Sequence, residues 1–265
     1  MRCNANFYEP SQGLTMISVI IPTCDRPAEF LRKAIASVLE QSLPPHEVII
    51  VDNGTIDVDI AKLPEGVIVY RLPPRVGASR SRNFGAAMAR GTHLAFLDDD
   101  DWWDQDFLRE TWSVLQAEGT RCVYGRKDVF RDGRVERYKC PSEETLTIPV
   151  LLRRNPGTGG QNLLIEKELF WRVGGFTEHL RVSNDKAFAI DVLETGEKVS
   201  IAYNAAAILR AHDGPRLRNE KKFRLRFIWR YRHLYGTLGA LKKALRLIFG
   251  IAKDHIRGVF RRSSA

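Results

Sequence analysis

The sequence predicts an α/β fold, a mostly parallel, Rossmann-like twisted sheet with helices on both faces. Three observations carry that prediction. Short apolar runs alternate with stretches of helical periodicity through the first hundred residues. Polar clusters fall directly after those runs, where open α/β sheets bind their ligands. Four consecutive acids, Asp98 to Asp101, stand between the apolar run 93–97 and Trp102-Trp103.

Residues 17–22 form the first expected strand, followed by Thr23-Cys24-Asp25-Arg26. A helix begins at about Pro27, whose fixed φ suits a first helical turn, and runs to about Gln41 before Pro44-Pro45 stops it. A second strand at 47–51 delivers Asp52-Asn53 to its end, and a third spans 67–71. Residues 78–89 read as a helix closed by Gly91. The fourth strand, 93–97, carries the acids to the sheet edge. The second half is less regular: Asp132-Gly133 marks a hairpin turn, 162–165 a strand, and 166–173 a short helix ended by Gly174-Gly175.

Four adjacent anions repel, and without partners they raise their own pKa values and weaken the fold. A divalent cation or a cationic partner relieves that repulsion. Hard oxygen ligands at a strand end suit Mg2+ or Mn2+, which keep part of their coordination sphere for water and a diphosphate. Capping of the helix through Phe107, Leu108 and Leu115 by Asp101 or Asp104 accounts for one or two of the acids, not for four. No G-x-G-x-x-G follows the first strand and no G-x-x-x-x-G-K occurs, so phosphate binding falls to a metal and to cationic side chains. Arg80 and Arg82, where the helix after the third strand opens, are candidates, with solvated surface arginines as the alternative. Gly157, Gly159 and Gly160 read as a flexible loop near a site.

At 265 residues and 44% hydrophobic content, the chain suffices for one substantial α/β domain with an appended segment. Cys3, Cys24, Cys122 and Cys140 form no C-x-x-C pair, which argues against a zinc site or a disulfide framework; Cys24 and Cys122 are expected as small buried hydrophobes. No run is apolar enough to span a bilayer, and the first fifteen residues lack the pattern of a signal peptide, so a cytoplasmic location is expected.

The net charge of +9 is concentrated at one end: residues 216–265 hold 15 Lys and Arg against 2 acids, and the remainder holds 26 against 30. In that tail Phe223, Phe227, Tyr231 and Leu234 recur at helical spacing, as do Leu241, Leu245, Ile248, Ala252, Ile256 and Phe260, with basic residues between. Such a basic amphipathic segment fits an anionic membrane surface on its cytoplasmic side; two helices docked on the domain are the structural alternative. No recognised nucleic-acid motif accompanies the charge, so a nucleic-acid partner is not expected. The expected organisation is an extension at 1–15, a domain at 16–215 divided at about residue 125, and the tail.

The segments SVIIPTCDRPAEFLRKAIASVLEQS, EVIIVDNGT, GASRSRNFGAAMARGTHLAFLDDDDWW and VGGFTEHLRVSNDKAFAIDVLETG together resemble a family 2 inverting glycosyltransferase with a GT-A fold. The similarity runs from about Ser18 to Asp213. It implies transfer of a sugar from a nucleotide-diphosphate sugar, most often a UDP-sugar, to an acceptor hydroxyl, possibly on a lipid-linked glycan, in cell-surface polysaccharide or glycolipid synthesis. By that resemblance Thr23, Arg26 and Asp52 hold the nucleoside, with Asp52 facing the base, and Arg82 lies near the diphosphate. In the D-x-D metal motif Asp98 contacts ribose and metal and Asp100 binds the metal, Mn2+ or Mg2+; the quadruple acid leaves the register of Asp99, a further donor contact, and of Asp101 open. Residues 16–125 would form the donor half and 126–215 the acceptor half.

An inverting transfer needs a carboxylate on the acceptor side of the anomeric carbon to take the hydroxyl proton. The family's base is the Asp of a Glu-Asp pair after G-G-F; here Asn184-Asp185 follows Gly174-Gly175-Phe176, which points to Asp185. Capping of the following helix by Ser183 or Asp185 is the structural alternative. His212 in AHDGP resembles a histidine that some relatives place near the metal, and is otherwise a structural histidine. Trp102 and Trp103 offer either a stacking surface for a sugar or core packing. A nucleotidyltransferase, or a non-catalytic binder of sugar nucleotides or polyanions, are the rival classes; the former's Gly-rich, Arg-containing loop is missing from PTCDRPAEF.

Overall fold

The structure, a computed structural model, describes residues 16–59, 62–180, 182–211, 224–236 and 238–248. In chain order its elements are β1 (Ile17–Thr23), α1 (Ala28–Leu39), β2 (Glu47–Asp52), β3 (Val67–Arg71), α2 (Ala78–Met88), β4 (His93–Phe96), β5 (Trp102–Trp103), α3 (Phe107–Glu118) and β6 (Cys122–Arg131). Then follow β7 (Arg134–Lys139), α4 (Ile148–Arg153), β8 (Leu163–Glu166), α5 (Lys167–Arg172), α6 (Asn184–Glu194), β9 (Val199–Arg210), α7 (Arg224–Arg230) and α8 (Arg232–Tyr235), and 238–248 are helical.

Every residue of β1 and β2 is buried, as strands covered on both faces require. Side-chain alternation divides them between two layers. Ile17, Val19 and Ile21 join Leu31, Ile35 and Val38 of α1 and Leu108 and Leu115 of α3. Ile20, Ile49, Val51 and Phe96 join Phe170 of α5 and Phe188 of α6 on the opposite face. Phe176, after the Gly174-Gly175 turn with φ of +81° and +67°, completes that layer with its ring centroid 4.7 Å from Phe188 and 5.2 Å from Phe96.

The nine strands form one sheet in the order β3-β2-β1-β4-β8-β6-β9-β5, with β7 paired to β6. β3, β2, β1 and β4 are parallel, with α1 and α2 supplying crossovers. Beyond β4 the sheet is mixed: β8 runs antiparallel to β4 and β6, β9 is parallel to β6, and β5 is antiparallel to β9. The sheet is thus partly parallel where a mostly parallel one was expected. The reason is local for β7, which leaves β6 through Asp132-Gly133 at φ of +50° and +77° and can only return antiparallel. Strand order reverses at β1, which opens a crevice between the carboxyl ends of β1 and β4.

Several expectations change. β5 intervenes between the acids and α3, so α3 starts after Asp106 without a side-chain cap. Asp101 and Asp104 instead accept the Arg210 and Ala206 amides at 3.0 and 2.9 Å and so pin β9. Trp103 is buried, stacked on Phe107 at 4.4 Å, and donates its indole N–H to the Gln161 carbonyl at 2.7 Å. Trp102 packs edge-on against Phe130 with the Lys33 ammonium 3.2 Å above its ring. Cys122 is buried as expected; Cys24 is exposed.

Of the basic tail, α7 docks on α6: Phe227, Ile228 and Tyr231 are buried, and the Tyr231 hydroxyl lies 2.7 Å from Asp191 Oδ1 and 2.9 Å from the Ala187 carbonyl. Leu238, Leu241, Leu245 and Ile248 are exposed. His212, Phe223, Ala252, Ile256 and Phe260 lie outside the described residues. Among the described residues no helix is long and apolar enough to cross a membrane.

Candidate active site

The chain leaves β4 with the Leu97 amide bonded to the Ile20 carbonyl at 3.0 Å, so the acids emerge beside the end of β1. They then alternate. Asp99 and Asp101 are each 5% exposed, while Asp98 and Asp100 are partly open. Asp99 accepts from Thr23 Oγ1 at 2.7 Å and Arg26 Nε at 3.0 Å. Burial pushes its carboxyl above the usual range, Asp100 and Asp98 add to the rise, and Arg26 and Thr23 oppose it. Burial pushes Asp101 well above its ordinary value, again reinforced by Asp98 and Asp100. Asp100 pairs with Arg26 Nη2 at 3.1 Å, and Asp98 with Arg82. Arginines thus take the part of the cationic partner that the quartet's repulsion calls for.

These residues border a cavity of about 790 Å3 at the β1/β4 crevice. Thr23, Arg26, Arg82, Asp98, Asp99 and Asp100 all line it. Asp52 sits at the end of β2, but its carboxylate is held by Arg71 and by the Gly54 and Val58 amides at 2.9 and 3.0 Å, and its neighbour Asn53 reaches the cavity wall instead. Arg80 is not part of the lining; it lies 3.7 Å from Glu178, which is. Arg82 is buried beneath the cavity with Phe176 5.3 Å away.

Sequence reasoning missed Arg75, which lines this cavity with a φ of +60° and lies 3.5 Å from Asp25. Its only signal was Pro73-Pro74, which marks a turn just beyond the end of the third strand.

A second cavity of about 660 Å3 adjoins the first, and the start of α6 stands between them. Asn184 lines the first and donates to Ser79 Oγ at 2.8 Å, whereas Asp185 lines the second. Neither Ser183 nor Asp185 caps the helix: Ser183, at φ +66°, makes no side-chain cap bond, and the Asp185 amide is taken by Asn184 Oδ1 at 3.0 Å.

Lys127, also missed, projects from β6 into this second cavity, 7% exposed, with its ammonium on the Thr158 carbonyl at 2.9 Å. Burial lowers its pKa, against the pull of Asp185, Asp98 and Asp101. The glycine loop is buried and close-packed, not flexible: a Cβ on Gly159 would strike the Lys127 ammonium, and one on Gly160 would come within 3.0 Å of Arg82 Nε. Glycine at both positions lets the two buried cations reach the site.

Residues 18–186 match the family model described as glycosyl transferase family 2. The chain belongs to that family. Among relatives, it is 28% identical over 184 residues to an uncharacterized glycosyltransferase of Haemophilus influenzae, covering 68% of this chain and 62% of that one. It is 28% identical to the putative teichuronic acid biosynthesis glycosyltransferase TuaG of Bacillus subtilis, covering 68% of this chain and 73% of the relative. The crystal structure of S. aureus TarS in complex with UDP-GlcNAc superposes with a TM-score of 0.65 at 17% identity over 80% of this chain and 65% of that one, which identifies a shared fold.

Family membership implies divalent-metal dependence in general terms, and the donor set can be tested against it. Among the described residues no group of three or more His, Cys, Asp or Glu forms a ready-made metal cage. Mg2+ and Mn2+ are commonly held by one or two carboxylates with water and substrate phosphates completing the sphere. Asp98 and Asp100, the more exposed acids of the quartet on the cavity wall, fit that requirement; Asp99 also lines the cavity but its carboxylate is taken by Thr23 and Arg26, and Asp101 is buried away from the lining.

Proposed function

We propose that this chain is an inverting glycosyltransferase that moves a sugar from a nucleotide-diphosphate sugar in the Asp98 cavity to a hydroxyl presented in the adjoining cavity. The observation that carries this is the position of the Asn184-Asp185 pair, one side chain on each cavity. Residues 16–125 supply the donor half and 126–215 the acceptor half. Thr23, Arg26 and Asp99 form a bonded unit at the end of β1 that fixes the nucleoside side. Asp52, locked by Arg71, shapes the turn that carries Asn53. Arg82 and Arg75 supply positive charge for the diphosphate, and Arg82 also orients Asp98.

Asp98 and Asp100 would hold Mn2+ or Mg2+, which when bound neutralises charge on the departing diphosphate. Asp185 takes the proton of the acceptor hydroxyl as its oxygen attacks the anomeric carbon from the face opposite the diphosphate. Asn184 in place of an acid removes one like charge beside that base and ties it to α2 through Ser79. UDP is the nucleotide favoured by the TarS complex, and TuaG's name favours a cell-surface polysaccharide as product. The exposed Leu238, Leu241, Leu245 and Ile248, on a strongly basic segment, support peripheral contact with an anionic membrane on its cytoplasmic side.

A panel of nucleotide sugars incubated with Mn2+ tests the activity. The account predicts slow, metal-dependent hydrolysis of one donor without acceptor; hydrolysis of none, by protein that binds nucleotide, would favour a non-catalytic binder.

A further inference from the structure

The two cavities differ sharply in charge. Around the donor cavity Arg26, Arg75 and Arg82 face Asp98, Asp99, Asp100 and Glu178, so cations and acids nearly balance. Eight lysines and arginines line the second cavity, and Asp185 is its one acid. The four lysines among them rest on neutral groups. Lys127 and Lys243 donate to the Thr158 and Leu152 carbonyls at 2.9 Å each, Lys139 to Asn155 O at 3.5 Å, and the Lys186 ammonium sits 3.9 Å over the Phe227 ring. Among the described residues none of these lysines is in an ion pair. Carbonyls and rings orient an ammonium without pairing its charge, although Lys127 also feels Asp185, Asp98 and Asp101, and crowding such charges around one space is unfavourable until an anion enters. Burial and the nearby Lys243 and Arg224 lower Lys186 to about 8, as expected of a cation among cations.

We infer that this second cavity takes an acceptor carrying phosphate or diphosphate beside the hydroxyl that is glycosylated. The inference rests on the reading of the Asp98 cavity as the donor side. Phosphate oxygens would bridge the four ammonium groups, which are in no ion pair among the described residues, and this places the acceptor within reach of Asp185. Leu152, Ile228 and Leu247 also line this cavity and add apolar surface to it, suited to the start of a lipid chain. The shared chemistry is a phosphate ester, whether a lipid diphosphate or a phosphorylated sugar supplies it.

The test uses the full chain and calorimetric titration with inorganic pyrophosphate, glucose 1-phosphate, farnesyl diphosphate and uncharged octyl glucoside, without divalent metal. The expected result is binding of the phosphorylated probes that weakens with added salt, persists when UDP and Mn2+ are present, and falls about tenfold or more in the exposed-site double variant R154Q/R246Q. Tighter binding of farnesyl diphosphate than of the two soluble phosphates assigns the lipid source; equal binding assigns a phosphorylated sugar. Either supports the inference. Octyl glucoside binding as well as farnesyl diphosphate, phosphate binding only through Mn2+ with displacement by UDP, or unchanged phosphate affinity in R154Q/R246Q would overturn it. Failure of UDP with Mn2+ to bind the wild type strikes the donor reading instead, and leaves the double-variant comparison to decide this one.

Discussion

Arg82 donates from Nη2 to Asp98 Oδ1, joining a side chain 6% exposed to one 28% exposed. One is anchored in α2, the other follows β4, and their pairing turns the rim of the crevice into a fixed object. Asp98 and Asp185 both help keep Arg82 charged against its burial, so this guanidinium electrically links the two halves of the site.

Replacing Arg82 with alanine leaves Asp98 without its buried partner and is expected to cost about 2–3 kcal/mol of stability. Affinity for UDP with Mn2+ should fall about tenfold or more. Arg82→Lys should recover stability better than binding, because one ammonium cannot reproduce the planar fork. Chemical denaturation and nucleotide titration on the three proteins check this; unchanged UDP affinity in Arg82→Ala would remove Arg82 from the donor site.

Asp101 is buried, with its carboxyl raised well above the ordinary value by burial and by Asp98 and Asp100. A carboxyl whose folded pKa exceeds its unfolded one costs stability once pH rises above the folded value, and that cost disappears as pH falls toward the unfolded value. Asp101→Asn removes the charge but keeps an oxygen for the Arg210 amide. It should therefore be neutral or stabilising at pH 7, while Asp101→Ala loses about 1–3 kcal/mol. Turnover should survive in Asp101→Asn, since this acid does not open onto the cavity; its abolition would bring Asp101 into the metal site.

Gly85 on α2 faces the sheet, and a Cβ there would stand 2.5 Å from Ile20 Cγ2 and 3.1 Å from Val51 Cγ2. Alanine gains about 1 kcal/mol of helix propensity, but overpacking costs about 1–3 kcal/mol. Gly85→Ala should therefore destabilise the protein in thermal unfolding. A higher melting temperature would show that α2 can lift off the sheet freely.

Lys186, whose pKa of about 8 lies below the ordinary 10.5, gives a pH signature. Below about pH 8 the folded state must hold this charge against Lys243, Arg224 and burial. As pH rises from about 8 toward 10.5 the folded state releases its proton first, and that penalty is relieved. Lys186→Met should thus be more stable than wild type at pH 7, with the difference shrinking as pH rises. A difference independent of pH, measured by denaturant unfolding, would show that Lys186 titrates normally.

Much of this was legible because strand periodicity and turn chemistry are local. The runs at 17–22, 47–51, 67–71 and 93–97 became β1 to β4, and Asp132-Gly133 became the hairpin. What escaped depends on contacts distant in sequence. Asp101 and Asp104 bind β9 amides a hundred residues away, so nothing local distinguished them from helix caps. Nothing in the sequence marked Lys127, and its burial against Gly159 and the Thr158 carbonyl shows it turned inward. The quartet's register was closed to sequence because four identical residues carry no phase; in the structure burial alternates along it, with Asp99 and Asp101 the more buried. The tail's pattern suited membrane contact, with docking as the alternative, and the segment from α7 to Tyr231 docks through Phe227 and Tyr231.

The central claim is that Asp185 takes the acceptor's proton at the junction of the two cavities, and Asp185→Asn tests it most directly. The account predicts loss of nearly all sugar transfer, by about a thousandfold or more, with Mn2+-dependent UDP affinity at the wild-type level. Transfer at an undiminished rate by a folded Asp185→Asn protein would contradict it.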